Sequence, residues 1–429
     1  MPRTDRRARP LLLGLLLLTV IVIAAACSSD DDDGATDAVA AQEAPSTSTG
    51  GGDPPETTDS ATSDTEVDLG EDAPSGVVAD VTGPWATDWS NRTINLDELA
   101  VGIRAVDPRD RIPPIDEPQF ESLDAAAEWL TDPSPGALVE LDGIRRFYPL
   151  AILTQHEIVN DDFGDVPVAV TYCPLCNTAI SFDRRVDGQV LRFGVSGLLR
   201  QSDLVMWDDA TTSLWQQATG EGIVGDFAGT QLEFISTAIT SYGDVVDSFP
   251  DTEVLSRDTG FPNRTYGTNP YVSYSSNSAP FSGFFQGEVD DRVPALERVV
   301  GITLDEGELG VPFSAITEKG ALNTTIGDTP VAVLWASGAA DALDHPTIDI
   351  AQDIGTGVAF SPVLDGQLLT FEANGDGTFT DAETGSTWDV LGNALDGELA
   401  GERLEPVTHR NDFWFAWSTF FPEAELYES

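Results

Sequence analysis

Basic residues are scarce in this chain of 429 residues, which has 21 lysines and arginines against 73 aspartates and glutamates and a formal net charge of −52 at pH 7. Lys319 is the only lysine. Such an acidic surface excludes nucleic acid and anionic lipid headgroups as partners, because both would be repelled. Cysteine is scarce as well, with three residues, so a zinc site built from two cysteine pairs is excluded.

A long hydrophobic run is missing, apart from Leu11 to Ile23 behind four arginines in the first ten residues. This run is shorter than the roughly 20 residues that span a bilayer. Small residues follow it and lead directly into Cys27, as in a bacterial lipobox. We therefore expect residues 1–26 to be a lipoprotein signal peptide and Cys27 to carry the lipid that anchors the protein at the extracytoplasmic face of the cell membrane.

Aromatic and basic side chains are missing from residue 28 to about residue 80, where Asp, Ser, Thr, Gly, Pro and Ala predominate. A segment of this composition cannot bury a core. We expect residues 27–80 to form a disordered acidic tether. Trp85 and Trp89 are the first aromatic residues after it and indicate where folding begins.

The remainder of the chain contains an internal repeat. GDVPVAV at residues 164–170 returns as GDTPVAV at residues 327–333. Further matches follow in the same order: VDGQVLRF (186–193) with LDGQLLTF (364–371), DDATTSLW (208–215) with DAETGSTW (381–388), and GDFAGTQLE (225–233) with GELAGERLE (397–405). Several ordered matches predict two tandem homologous copies.

Each copy combines β-branched runs, Asp-Gly turns and a short amphipathic helix at its end. The fold class is therefore predicted as mainly β with a few helices (α+β), in which the two copies form a pseudo-symmetric globular body. The expected divisions are as follows: an N-terminal segment packed on copy one (81–142), copy one (143–255), a connecting segment (256–305) and copy two (306–429).

Comparison of the copies shows where the chemistry lies. Cys173 aligns with Ala336, and the loop that holds Cys176 is replaced in copy two by a longer stretch. His156 aligns with Lys319, and Met206 aligns with Phe379. The metal or redox candidates Cys173, Cys176, His156 and Met206 thus all belong to copy one. Trp207 and Trp215 are expected to wall the site.

Several segments of copy one resemble a known family. They are HEIVND (156–161), VTYCPLCNTAISFDR (170–184), FGVSGLLRQSDLVMWD (193–208) and SLWQQATGEGIVG (213–225). These motifs are similar to those of a prokaryotic domain-of-unknown-function family, DUF3179, often found on exported lipoproteins, and the similarity extends from about Leu96 to Leu426. The family implies no activity. The chain departs from its pattern at Asn177, where glycine is commoner.

Three interpretations of Cys173-Pro-Leu-Cys176 remain open. Thiolates with an imidazole and a thioether would bind copper or another soft metal. The helix that contains His156 is expected to end near Asn160, so His156 reaches the cysteines only if this helix crosses the following strand steeply or the sheet curls. Thiol–disulfide exchange suits the Cys-x-x-Cys spacing, but such a pair usually opens a helix, and here the strand-like TAISF follows. A structural disulfide would close spontaneously in an oxidising compartment, but so short a loop would give little stability.

Weaker signals lie elsewhere. Residues 372–383 approach a calcium-loop spacing with Asn374, Asp376 and Glu383 as oxygen ligands, although the same residues suit a hairpin turn. The D-x-x-T-x-S-x-W motif occurs in both copies, which favours a turn under a buried tryptophan over catalysis. His345 and His409 have no partner visible in the sequence and are assigned no role.

The sequence therefore predicts a membrane-anchored lipoprotein of unknown biochemical function that binds or senses a soft metal or ligand at Cys173 and Cys176. A thiol–disulfide oxidoreductase and a structural or scaffolding protein with a local disulfide are the alternatives. Whether the protein is an enzyme stays open, because the sequence has no nucleophile–base motif or phosphate loop with diagnostic context. Its partner, whether protein or small molecule, is unknown.

Overall fold

Short β-branched and aromatic runs between Asp-Gly and other turn sequences build a mainly β structure, with 39% strand and 12% helix. The structure is a computed structural model that describes residues 69–428. The predicted fold class, mainly β with a few helices, is confirmed. Cys27 and the predicted signal peptide lie outside the described residues. Within the described part, no helix is both long and apolar enough to cross a membrane.

The N-terminal segment adds strands to the sheets that follow. Its elements are α1 (Gly76–Thr82), β1 (Leu99–Val101), β2 (Phe120–Ser122) and α2 (Leu123–Ala126). The predicted tether boundary at residue 80 differs from the structure, because Val78 and Val81 of α1 are buried in a cluster with Trp85. The buried side chains of Val78 and Val81 pack this helix against the fold.

The first half of the fold spans residues 135–255. In chain order it comprises β3 (Pro135–Leu141), β4 (Ile144–Pro149), α3 (Leu150–His156), β5 (Ile158–Phe163), β6 (Val166–Cys173), β7 (Thr178–Asp183), β8 (Arg185–Val186), β9 (Gln189–Val190), β10 (Phe193–Arg200), β11 (Asp203–Asp208), β12 (Leu214–Gln216), β13 (Gly222–Val224), β14 (Phe234–Ile235), β15 (Thr237–Ser241), α4 (Tyr242–Ser248) and β16 (Glu253–Leu255).

The second half spans residues 298–426. It comprises β17 (Arg298–Leu304), β18 (Gly307–Pro312), α5 (Phe313–Ile316), β19 (Ala321–Ile326), β20 (Thr329–Ala336), β21 (Thr356–Ser361), β22 (Val363–Leu364), β23 (Gln367–Leu368), β24 (Phe371–Ala373), β25 (Phe379–Asp381), β26 (Thr387–Trp388), β27 (Ala394–Asp396), β28 (Glu405–Pro406), β29 (His409–Phe413), α6 (Trp414–Phe420) and β30 (Glu425–Leu426).

The strand order of the sheets recurs from one half to the other. The first half has the orders β15-β3-β4-β16-β2, β14-β7-β6-β5 and β1-β10-β11-β12-β13, and the second half has β29-β17-β18-β30, β28-β21-β20-β19 and β24-β25-β26-β27. In both, the last strand joins the first hairpin in parallel. Each structural half begins one strand before the expected copy boundaries at 143 and 306, which fall in the turn of its first hairpin.

The two D-x-x-T-x-S-x-W motifs form the same buried turn. Trp215 and Trp388 are fully buried, and each indole Nε1 donates to the first aspartate of its motif, Asp208 or Asp381, over 2.9 Å. The threonine three residues after each aspartate donates its backbone N–H to the same carboxylate. The predicted turn under a buried tryptophan is confirmed.

We expect Trp215→Phe and Trp388→Phe to lower the free energy of unfolding by similar amounts, about 2 kcal/mol each, because each loses a hydrogen bond to a buried carboxylate. Urea unfolding of the two variants, compared at unchanged m-value, measures both costs. If one substitution were neutral and the other costly, the two turns would not be energetically equivalent.

Candidate functional site

Cys173 and Cys176 lie in a hairpin loop rather than at a helix. Cys173 ends β6 and pairs with Thr178, the first residue of β7, so the strand predicted after the cysteines is confirmed. Asn177 has a φ of 55°, a left-handed conformation that Asn and Gly adopt most readily. This conformation explains why the chain carries Asn at a position where glycine is also suitable.

A second turn brings the backbone to the two sulfurs. Gln201 and Ser202 join β10 to β11 with φ values of 52° and 63°, which is uncommon for two consecutive residues other than glycine. The Ser202 carbonyl oxygen accepts from the Cys173 thiol at 3.8 Å and from the Cys176 thiol at 3.5 Å. Both cysteines are free thiols and are buried.

Asp203 completes a three-residue cluster at the start of β11. One of its carboxylate oxygens and the two Sγ atoms all lie within 4.8 Å of one another. Its Oδ2 accepts from Gln216 Nε2 at 2.6 Å and from the Ala218 amide at 2.8 Å. Its Oδ1 is buried and has no hydrogen-bond partner among the described residues. Buried carboxylate oxygens rarely lack partners, so this atom is available to a ligand.

Burial dominates the electrostatics of the cluster. It raises the pKa of both thiols above the ordinary value, and it raises the pKa of Asp203 to about 6. Hydrogen bonds from Gln216 and the Ala218 amide oppose this rise at Asp203 most, and the Arg410 guanidinium and the Cys176 thiol oppose it less. In the absence of a ligand the thiols are therefore protonated at neutral pH.

Glu157 lies beside the cluster at the end of α3. It is buried, which raises its pKa to about 7, and its Oε1 accepts from the Tyr271 hydroxyl at 3.1 Å. A mostly apolar cavity of about 160 Å³ lies here, and its lining includes Glu157, Tyr271, Leu175 and Leu204. Because Glu157 acts electrostatically on Cys173 and is acted on by Asp203, the cavity lies close to the cluster.

The second half and the connecting segment hold the cysteine loop in place. The Phe413 amide donates to the Cys176 carbonyl at 2.8 Å, and the Thr178 hydroxyl donates to the Asp412 carboxylate. From the connecting segment, the Tyr274 hydroxyl donates to the Leu175 carbonyl at 2.9 Å. The site belongs to the first half, but its geometry depends on β29 and on residues 269–285 as well.

His156 is not part of the cluster. The helix α3 ends at His156, not near Asn160 as expected, and β5 then pairs with β6. This topology carries the end of the helix to the cysteine end of β6, but the imidazole is used elsewhere: Nδ1 bonds to the Pro113 carbonyl at 2.6 Å and Nε2 to the Tyr266 hydroxyl at 2.7 Å. Burial lowers its pKa to about 4.

Met206 and the two tryptophans have other neighbours. Met206 is fully buried in β11 opposite Val195 and Trp215. It is three residues beyond Asp203, about 10 Å along the strand and on its other face. Trp215 is held by Asp208. Trp207 donates to Asp110 at 3.0 Å and stacks on Arg109 and Arg192. These contacts give the tryptophans structural roles.

The residues proposed for calcium do not converge. Asn374 and Asp376 bond to Thr378 within the β24–β25 turn, while Glu383 accepts from the Thr370 amide at 2.7 Å. The alternative prediction, a hairpin turn, agrees with the structure of this segment.

Asp203 and Glu157 are the two site residues that the sequence did not reveal. Comparison of the copies hides Asp203, because the position that matches it in the second half is also an aspartate, Asp376. Glu157 is adjacent to His156 and belongs to no ligand-spacing motif of its own. Both residues lie within the family motifs, and this position was the sequence feature that could have indicated their role in the site.

Comparison with known proteins identifies a family for this chain but no activity. The model of a family described as a protein of unknown function, DUF3179, matches residues 109–424. No curated protein matched the chain, and no solved structure did.

Proposed function

The chain belongs to the DUF3179 family of proteins of unknown function, and from its site we propose that it binds a thiophilic divalent metal ion, zinc first of all. The ligands are the sulfurs of Cys173 and Cys176 and Oδ1 of Asp203. The observation that supports this most is the buried Asp203 carboxylate: one of its oxygens lies within 4.8 Å of two buried thiols, and its Oδ1 has no hydrogen-bond partner among the described residues. An unsatisfied carboxylate oxygen in the interior is costly unless a cation or donor occupies the site.

The ligand atoms favour zinc over the copper expected from the sequence. Copper or another soft metal was expected from a set that included imidazole and thioether groups, whereas the structure brings a carboxylate to the thiols. Zinc accepts Cys and Asp ligands together, and two thiolates offset its charge. The Asp203 carboxylate then faces Arg410, which acts on it electrostatically. Copper(I) would leave one more negative charge buried in the same set.

Thiol–disulfide exchange is supported less well. Exchange requires an accessible thiol with a lowered pKa, whereas both thiols are buried and burial raises their pKa values. A structural disulfide would leave the unpartnered Oδ1 of Asp203 without an explanation. The metal site explains the thiols and the carboxylate together.

Zinc binding to the reduced full chain tests this proposal. Because both thiols are protonated in the free protein, we expect each bound ion to release about two protons near pH 7.5, where Asp203 is already ionised. Calorimetry in buffers of different ionisation enthalpy counts these protons, and mass spectrometry under native conditions gives the stoichiometry. One zinc ion with no proton release would contradict thiolate ligation, and a metal-free disulfide that resists reductants would contradict the site itself.

We propose further that the protein is exported and anchored through a lipid on Cys27, with the site outside the cytoplasmic membrane. The leader sequence and the acidic composition support this proposal, and the composition speaks against a nucleic-acid partner. Intact-mass measurement of the membrane fraction would detect diacylglyceryl on Cys27, and an unmodified Cys27 there would contradict it. The repeated sheet orders and the paired Asp–Trp turns support an internal duplication as the origin of the two halves.

A further inference from the structure

A second cavity lies where the two halves meet, apart from the cysteine cluster. It has a volume of about 250 Å³ and a mostly apolar lining. The first half contributes Ile180, Phe234 and Ile235, and the second half contributes Thr303, Arg410 and Phe421. Phe234 is 38% exposed, so a large aromatic side chain remains open to an occupant.

Arg410 supplies the strongest hydrogen-bond donor in this lining. The residue is 6% exposed, and its guanidinium stacks on the rings of Trp417 at 5.1 Å and Phe421 at 4.5 Å. Its Nη1 donates to the Ala218 carbonyl. Its Nη2 has no hydrogen-bond partner among the described residues. The stacking fixes the guanidinium, so this free donor is held in one place.

The charge of Arg410 is already offset. Its Nε lies 2.7 Å from Asp412 Oδ2 in an ion pair that is almost wholly buried. His409 also borders the cavity. Its Nδ1 bonds to the Val407 carbonyl at 2.8 Å, and burial lowers its pKa, so its imidazole brings no positive charge. An anionic occupant would therefore add an uncompensated charge beside Asp412, in a chain of net charge −52.

We propose that this cavity binds an uncharged, mainly apolar molecule that carries a carbonyl oxygen. The aromatic and aliphatic lining holds the apolar body, and the oxygen accepts the hydrogen bond from Arg410 Nη2. Such a ligand satisfies the buried donor without bringing a charge into the interior. No ligand of the proposed metal lines this cavity, but the two sites share Arg410, which also acts electrostatically on Asp203.

Three probes that share a naphthalene ring test the proposal on the full chain by calorimetry. They are 2-acetylnaphthalene, which has the carbonyl, 2-ethylnaphthalene, which lacks it, and 2-naphthoate, which is charged. We expect the ketone to bind about tenfold more tightly than the hydrocarbon, as a hydrogen bond from a charged donor implies, and the carboxylate to bind more weakly than the ketone. Equal affinity for ketone and hydrocarbon, tightest binding of the carboxylate, or no binding at all would overturn it.

Two variants keep the test independent of folding defects. Arg410→Met combined with Asp412→Asn removes both charges of the pair, and it should lower ketone affinity about tenfold while hydrocarbon affinity stays the same. Thr303→Phe should block all three probes by filling the cavity. Cys176→Ser should bind the ketone as the wild type does. If the double variant binds ketone normally, or Thr303→Phe leaves binding intact, the assignment of Arg410 and of this cavity is wrong.

Discussion

Cys176→Ser is expected to weaken zinc binding by about a thousandfold, a loss of about 4 kcal/mol of binding free energy. The hydroxyl of serine does not ionise near neutral pH, so the site would lose one of its two thiolates. The Cys176 side chain is fully buried and its thiol donates to the Ser202 carbonyl at 3.5 Å. Serine can keep this hydrogen bond, so the fold should tolerate the change better than the metal site does.

Competition with a chromophoric chelator at pH 7.5, under reducing conditions, measures this loss. Met206→Leu is the matched control, because it replaces the other sulfur-bearing candidate at nearly constant volume. Its zinc affinity should equal that of the wild type. If Met206→Leu weakened zinc binding as strongly as Cys176→Ser does, the proposed ligand set would be wrong and the set of Cys173, Cys176, His156 and Met206 would regain support.

Local sequence patterns predicted the elements around the site well. The β-branched run before Cys173 and the strand-like run after Asn177 are both strands, because alternation and β-branching act within a few residues. The end of α3 was misplaced, because residues 157–160 suit a helix or a strand in isolation. These residues form a strand because Ile158 pairs with Thr171. This contact joins residues 13 positions apart, so a local sequence pattern does not reveal it.

The choice of ligands depended on contacts between distant residues. His156 and Met206 are chemically suitable ligands for a soft metal. In the folded protein, however, the imidazole is hydrogen-bonded to Pro113 and Tyr266, and the thioether is buried in the core. Asp203 reaches the thiols because Gln201 and Ser202 both take left-handed conformations. Such a turn is uncommon for these residue types, so no local sequence pattern predicts it.

Asp203→Asn is expected to weaken zinc binding about a hundredfold and to stabilise the metal-free protein at the same time. The asparagine side chain keeps an oxygen that can accept from Gln216 and Ala218, as Oδ2 of Asp203 does. It removes the charge that burial makes costly. A residue that binds a ligand often destabilises the ligand-free protein, so replacing it commonly weakens binding and raises stability.

The pH dependence follows from the pKa of Asp203, which is raised from 3.8 to about 6 by burial. The folded protein holds the proton more tightly than the unfolded chain, so this carboxyl lowers the free energy of unfolding as the pH rises from about 4 to about 6. Above pH 6 the Asn variant should be more stable than the wild type by up to about 3 kcal/mol. The advantage should vanish near pH 4.

Urea unfolding of the metal-free wild type and Asp203→Asn at pH 4 and at pH 7.5 measures this difference. Gln216→Leu serves as a comparison, because it leaves Asp203 charged and removes one of its donors, so it should destabilise the protein at pH 7.5. A variant Asp203→Asn that is less stable than the wild type at pH 7.5 would show that the carboxylate stabilises the fold. In that case its unpartnered oxygen would no longer argue for a metal ion.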